Sequence, residues 1–64
     1  MEYTNSRIRE LIDEYIHSLR DRQVLYMRLI DGLTFDEIAA KLYMSDRQVK
    51  RIVYKLQQEL FRHL

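Results

Sequence analysis

The chain contains no cysteine and no proline, and its 64 residues include a single glycine, Gly32. Without cysteine, a disulfide framework and a thiolate zinc site are both excluded. Proline and glycine build many of the tight turns that join strands, so their scarcity argues against hairpins and sheets. The composition therefore favours an all-α fold.

Long apolar runs are also missing. No stretch approaches the ~20 apolar residues that a transmembrane helix needs, and the N-terminus carries no apolar signal segment. We therefore expect a cytoplasmic protein. A chain of 64 residues is close to the lower limit for independent folding, and we expect residues 1–64 to form one small domain.

Catalytic and metal-binding residues are not recognisable. His17 and His63 lie far apart and have no partner ligands at metal-site spacing. Ser6, Ser18 and Ser45 are better explained as helix caps than as nucleophiles. We therefore expect no enzyme activity, no metal and no cofactor.

Apolar residues recur at spacings of three and four in four stretches of the chain, which is the pattern of amphipathic helices. Gly32 follows the second stretch, where a left-handed residue commonly ends a helix. We predict a four-helix, all-α domain with helices at about 5–17, 20–31, 35–42 and 45–62.

The last two of these stretches predict a helix-turn-helix. Thr34 and Glu37 have the spacing of a capping box, and Ser45 can cap the following helix. The helix between them is only about two turns long, so the two helices are expected to cross steeply rather than form a hairpin.

Positive charge is concentrated on the last helix. Residues 1–44 hold six Lys/Arg and eight Asp/Glu, whereas residues 45–64 hold five Lys/Arg and two Asp/Glu. The balance therefore changes from −2 to +3 along a chain whose net charge is only +1. A basic helix of this kind is typical of a surface that faces nucleic-acid phosphates, although a solvated helix face gives the same pattern.

Three segments carry a resemblance to a known family. They are Leu19-Arg-Asp-Arg-Gln-Val-Leu, Asp31-Gly-Leu-Thr-Phe-Asp-Glu-Ile-Ala-Ala-Lys-Leu and Ser45-Asp-Arg-Gln-Val-Lys-Arg-Ile. Together, over roughly residues 19–56, they resemble the helix-turn-helix of bacterial sigma-factor region four. They are also similar to the DNA-binding domain of LuxR-type regulators. The resemblance implies a nucleoid-associated transcriptional regulator that binds double-stranded DNA through the major groove.

The resemblance also implies roles for individual residues. Ile38 and Ala39 are expected where the two helices cross, and Val49 and Ile52 on the buried side of the recognition helix. Arginine and glutamine can each make two hydrogen bonds to a base edge, so Arg47, Gln48 and Arg51 are the expected base readers. The full set of expected DNA-binding residues is Thr34, Ser45, Asp46, Arg47, Gln48, Lys50, Arg51, Tyr54 and Lys55.

Tyr43 departs from the family pattern, because many members carry glycine at this turn position. A tyrosine with positive φ is strained, so the turn either takes another conformation or tolerates the strain. Asp46 has an alternative role in complementing the helix dipole. For Arg28 and Lys41 a solvated role is favoured over a phosphate contact.

The C-terminal apolar residues are compatible with both a monomer and a homodimer. Leu56, Leu60, Phe61 and Leu64 either fold back on the first helix or pair with a second copy, and we favour the homodimer. Functional alternatives are a module that docks on RNA polymerase or another regulator, and the DNA-binding domain of a recombinase. The chain is either a small regulator of a phage or mobile element or an excised domain, and the initial Met1 favours a complete protein.

Overall fold

The computed structural model describes residues 4–63. Over this range the chain forms four helices and no strand. Helix α1 covers Asn5–Tyr15, and α2 covers Leu19–Leu25 and continues as a π-helical segment, Tyr26–Ile30. Helix α3 covers Phe35–Leu42 and α4 covers Asp46–Phe61. The predicted all-α, four-helix fold is confirmed, and no helix in the described range is long and apolar enough to cross a membrane.

Helix α1 ends earlier than predicted, at Tyr15 rather than residue 17. Ile16 is already extended, with φ −109° and ψ 117°. The guanidinium of Arg22 donates to the carbonyl oxygen of Asp13 over 2.8 Å and also to that of Ile16. These bonds satisfy carbonyl groups that a continuing helix would have used, so the Arg22 side chain stabilises the end of α1.

Helix α2 begins at Leu19, one residue before the prediction, because Ser18 caps it and accepts a hydrogen bond from Asp21 N over 3.4 Å. The predicted single helix to residue 31 changes to π-helical geometry at Tyr26 and ends at Ile30. There the Asp31 amide donates to the Tyr26 carbonyl, five residues earlier, over 3.0 Å. Gly32 follows with φ +72°, which confirms the predicted left-handed helix stop.

One half of the core joins the two ends of the chain. Leu11, Ile12 and Ile16 of the N-terminal region pack with Leu25 and with Leu60 near the end of α4. Leu60 is only 1% exposed, and Leu56 packs against the same cluster. The apolar end of α4 therefore folds back on α1 within one chain.

This fold-back corrects the predicted dimer surface. Leu60 is buried inside the monomer and is not available to a second copy, whereas Phe61 is 51% exposed. Leu64 lies outside the described residues. The His63 ring stacks on Tyr15 with ring centres 3.7 Å apart, which holds the end of the described chain against α1.

The other half of the core lies beneath the helix-turn-helix. It consists of Val24, Ile38, Ala39, Val49 and Val53, all at most 5% exposed. Val24 and Leu25 are adjacent on α2 yet belong to different halves, so α2 is buried on two sides and lies between α1 and the helix-turn-helix.

The core of the recognition helix differs in one position from the expectation. Val49 is fully buried as expected, but its buried partner is Val53, which is 1% exposed. Ile52 is only half-buried. Around an α-helix, residues four and eleven positions on lie about 40° and about 20° from the first on one side, and a residue three positions on lies about 60° away on the other side. Val53 and Leu60 therefore share the buried stripe of Val49, and Ile52 lies at its edge.

Candidate nucleic-acid interface

A capping box starts α3, as the sequence predicts. The Thr34 hydroxyl oxygen accepts from Glu37 N over 3.1 Å, and the Glu37 carboxylate accepts from Thr34 N over 3.0 Å. The hydrogen bond from the Thr34 backbone, supported by the Thr34 side chain, holds the pKa of Glu37 below its ordinary value. Thr34 therefore fixes where α3 begins at the exposed side of the domain.

The turn between α3 and α4 is set by a left-handed tyrosine. Tyr43 has φ 56° and ψ 45°. The Met44 amide donates to the Ala39 carbonyl over 2.9 Å, the 6→1 bond of a Schellman motif. Met44 then packs against the core beneath the helix-turn-helix. Tyr43 thus tolerates the strained conformation, and its side chain is 98% exposed instead of covering the core.

A second capping box starts α4. Ser45 Oγ accepts from Gln48 N over 3.2 Å, while Gln48 Oε1 accepts from Ser45 N over 3.1 Å and from Ser45 Oγ over 3.3 Å. A base contact by Gln48 needs the same oxygen, since reading adenine with two bonds uses both ends of the amide. Gln48 therefore caps α4 together with Ser45, whereas the sequence predicted only Ser45 as a cap there.

The side of α4 opposite its core carries exposed cations. Val49 and Val53 face inward, whereas Arg47, Lys50, Arg51 and Lys55 are all exposed. Among the salt bridges found in residues 4–63, none involves any of these four side chains. No salt bridge within the described range therefore neutralises these side chains, and they can attract an anionic partner.

An aromatic and cationic cluster lies beside this surface. The Arg28 guanidinium lies 4.3 Å and Lys50 Nζ lies 5.9 Å from the centre of the Phe35 ring. The Tyr54 ring meets Phe35 edge-on at 5.9 Å, and Tyr54 stays 60% exposed. Arg28 also donates to the Leu33 carbonyl over 3.0 Å.

Arg28 is thus half-buried and links the end of the π-helical segment to the start of α3, which corrects the solvated role predicted from the sequence. Its partners, Leu33 and Phe35, are five and seven residues away. Spacing patterns within a helix do not predict contacts with the segment that follows the helix, so the sequence did not show this role.

An acidic pair adjoins the start of α4. The neighbouring Asp36 carboxyl is the main cause that raises the pKa of Asp46, with some desolvation adding to it and the Lys50 charge opposing it. Asp46 occupies the first turn of α4, where a negative charge also complements the helix dipole.

Residues 18–55 match the sequence model of the family described as Sigma-70, region 4. The chain belongs to this family. Region 4 is a helix-turn-helix DNA-binding region rather than an enzyme family, and the predicted likeness to it is confirmed. Searches of curated proteins and of solved structures found no match.

The region 4 match covers α2, α3 and α4 as far as Lys55. Helix α1 and the end of α4 with Leu60 lie outside it. These two parts pack on each other and on Leu25, so they complete the core on the side of α2 that the helix-turn-helix leaves open.

Proposed function

We propose that this region 4 domain binds double-stranded DNA by placing α4 in the major groove, and that it regulates transcription through this binding. The observation that supports the proposal is the division of α4 into two faces. Val49 and Val53 are at most 1% exposed, and the opposite face carries exposed arginine and lysine side chains that form no salt bridge within residues 4–63. An α-helix fits the major groove of B-DNA with one such face toward the bases.

The proposed roles follow from position on α4. Arg47 and Arg51 lie one turn apart on the outer face, and each can make two hydrogen bonds to a guanine edge. Lys50 and Lys55 lie on its flanks, where contacts with phosphates are expected. Tyr54 is held edge-on by Phe35 and can pack on a sugar.

The capped starts of α3 and α4 are proposed to add phosphate contacts to this surface. Thr34 and Ser45 each leave backbone N–H groups at the start of a helix, and such groups attract a phosphate. Asp46 adds a negative charge at the same end of α4, so in the proposal it shapes the helix start and does not hold DNA phosphate.

The proposal is tested by measuring binding to a random-sequence DNA duplex by fluorescence anisotropy at several salt concentrations. The two proposed lysine contacts to phosphate, Lys50 and Lys55, predict that log K falls with log salt with a slope of roughly −2. Lys50→Ala is expected to reduce the size of that slope by about 1. A matched control is Arg7→Ala on α1, whose side chain pairs with Glu10 over 3.4 Å and lies outside the proposed surface.

The result expected is binding at low salt that weakens steeply as salt is added, with a smaller slope for Lys50→Ala and the wild-type slope for Arg7→Ala. Absence of binding at low salt, or a slope that Lys50→Ala leaves unchanged, would contradict the proposal.

Docking on RNA polymerase is a second candidate, because the chain belongs to the sigma-70 region 4 family. Leu19 is 74% and Phe61 is 51% exposed, so apolar side chains remain for a protein partner outside the proposed DNA surface. Apolar contacts are not weakened by salt, so Leu19→Ser and Phe61→Ser should reduce polymerase binding at high salt and leave DNA binding unchanged.

A further inference from the structure

Two helices of this protein end in the same way but on different residues. Gly32 ends the π-helical segment with φ +72°, and Tyr43 ends α3 with φ 56°. In each case the next residue is apolar, and its amide donates a hydrogen bond to a carbonyl oxygen in the helix that ends there. The Leu33 amide donates to Met27 and the Met44 amide donates to Ala39, both over 2.9 Å. Leu33 and Met44 then pack on the same core cluster. Both stops therefore need a left-handed residue, although the Leu33 amide reaches back six residues and the Met44 amide five.

Glycine meets this demand without strain, since it has no Cβ to clash in the left-handed region. A Cβ placed on Gly32 would meet nothing within 4 Å, so the backbone conformation alone accounts for glycine there. A bulky aromatic residue with positive φ is a genuine outlier. Tyr43 thus lowers the stability of the fold at a position where glycine would fit.

The Tyr43 side chain makes no contact within the described residues that would offset this strain. It is 98% exposed and makes no aromatic or cation–π contact among the described residues. Its phenol also forms no hydrogen bond within residues 4–63. Strained residues that the surrounding structure holds in place without internal benefit are concentrated at binding sites.

We infer that Tyr43 is a DNA-backbone contact that flanks the reading surface of α4, an inference that rests on the proposed function. Tyr43 stands two residues before Ser45, the cap of α4, and four before Arg47. The exposed Lys41 precedes Tyr43 by two residues in the chain. An exposed phenol with cations two and four residues away in the chain suits a sugar–phosphate strand, because its ring packs on the sugar and its O–H donates to a phosphate oxygen.

The test compares Tyr43→Gly with the wild-type protein in two measurements. Because the strain is relieved, the midpoint of denaturant unfolding should rise. Because the contact is lost, the affinity for a DNA duplex should fall by about tenfold, the typical effect of one hydrogen bond to a charged group. The fall should be the same for all sequences, and the salt slope should not change because tyrosine carries no charge.

Two further variants separate the ring from the hydroxyl and from backbone flexibility. Tyr43→Phe keeps the ring and the strain, so it should retain the wild-type unfolding midpoint and lose the affinity that the O–H contributes. Tyr43→Asn accepts the left-handed conformation without the flexibility of glycine, and it should bind DNA as weakly as Tyr43→Gly. Phe61→Ala is the control for removal of an exposed aromatic side chain and should bind as the wild type does.

The outcomes also separate this inference from the proposed function. If the wild type binds DNA with a steep salt slope but Tyr43→Gly and Tyr43→Asn bind equally well, the Tyr43 contact is wrong and the proposed function stands. If the wild type does not bind DNA at low salt, both are overturned. A fall in affinity for Phe61→Ala equal to that for Tyr43→Gly would also overturn the specific role of Tyr43.

Discussion

The side-chain oxygen of Gln48 accepts a hydrogen bond from the backbone nitrogen of Ser45 over 3.1 Å, while Ser45 Oγ accepts one from Gln48 N over 3.2 Å. These reciprocal bonds satisfy two of the free amide groups at the start of α4. The side-chain oxygen of Gln48, one of the expected base readers, is therefore used to cap α4. In the proposed function, base reading therefore depends chiefly on Arg47 and Arg51.

The first prediction separates positioning from reading at this helix start. Gln48→Ala should lower the free energy of unfolding by roughly 0.5–1 kcal/mol through loss of half the capping box. The ratio of affinities for a preferred and a random DNA site should stay as in the wild type. Gln48→Glu is the control for stability, because glutamate serves the same capping role. A collapse of that ratio with unchanged stability in Gln48→Ala would mean that Gln48 reads a base.

The second prediction concerns the link between α2 and α3. Arg28→Ala removes a cation from the face of Phe35 and a hydrogen bond to the Leu33 carbonyl. We expect a loss of about 1–2 kcal/mol in the free energy of unfolding, measured by urea denaturation. Arg28→Lys should recover only part of this, because an ammonium cannot stack its plane on the ring while donating to the carbonyl. Equal stability of Arg28→Ala and the wild type would show that Arg28 is merely solvated.

The third prediction is a pH dependence of stability that originates at Glu37. Its pKa in the folded protein is lowered, chiefly by the hydrogen bond from the Thr34 backbone. The charged form therefore stabilises the fold above the ordinary glutamate pKa of about 4.3, and this contribution is lost as the pH falls through the lower folded value.

Glu37→Gln isolates this effect, since glutamine keeps the capping bond without the charge. The wild type should have the higher Tm at pH about 7, and the difference should disappear at pH about 2, well below the ordinary glutamate range. A difference in Tm that is the same at both pH values would contradict the assignment.

Much of the fold follows from short-range patterns in the sequence. Apolar spacing predicts the four helices, and local spacing predicts the caps at Thr34 and Ser45 and the left-handed stop at Gly32. All of these depend on residues within a few positions of one another, which is the range over which helix rules operate.

The features that escaped prediction depend on contacts between separate elements. The amphipathic stripe of α4 shows that Leu60 must be buried, but not whether α1 or a second copy buries it. The early end of α1 depends on Arg22, nine residues after the carbonyl of Asp13 that it bonds. The π-helical geometry at Tyr26 also has no local signal. There the Tyr26 hydroxyl donates to the Asp13 carboxylate, and this bond is the main cause of a raised Tyr26 pKa.

The proposed site is predictable to a similar degree. Helical spacing is enough to separate Val49 from Arg47 and Arg51, and hence the inward face from the outward one. The same spacing cannot show that the Gln48 oxygen is occupied, because Ser-x-x-Gln is compatible with both a capping box and two free side chains. The strain at Tyr43 likewise needed the backbone angle, since the family pattern left two conformations open.

The most direct test of the central claim, that the outer face of α4 reads DNA sequence, is the affinity ratio between a selected and a scrambled site. A duplex selected from a random pool by the wild-type protein should bind it at least about tenfold more tightly than the scrambled duplex. In Arg47→Ala plus Arg51→Ala the ratio should fall to about 1, with the far-ultraviolet circular dichroism unchanged. A folded double variant that keeps the wild-type ratio would contradict the account.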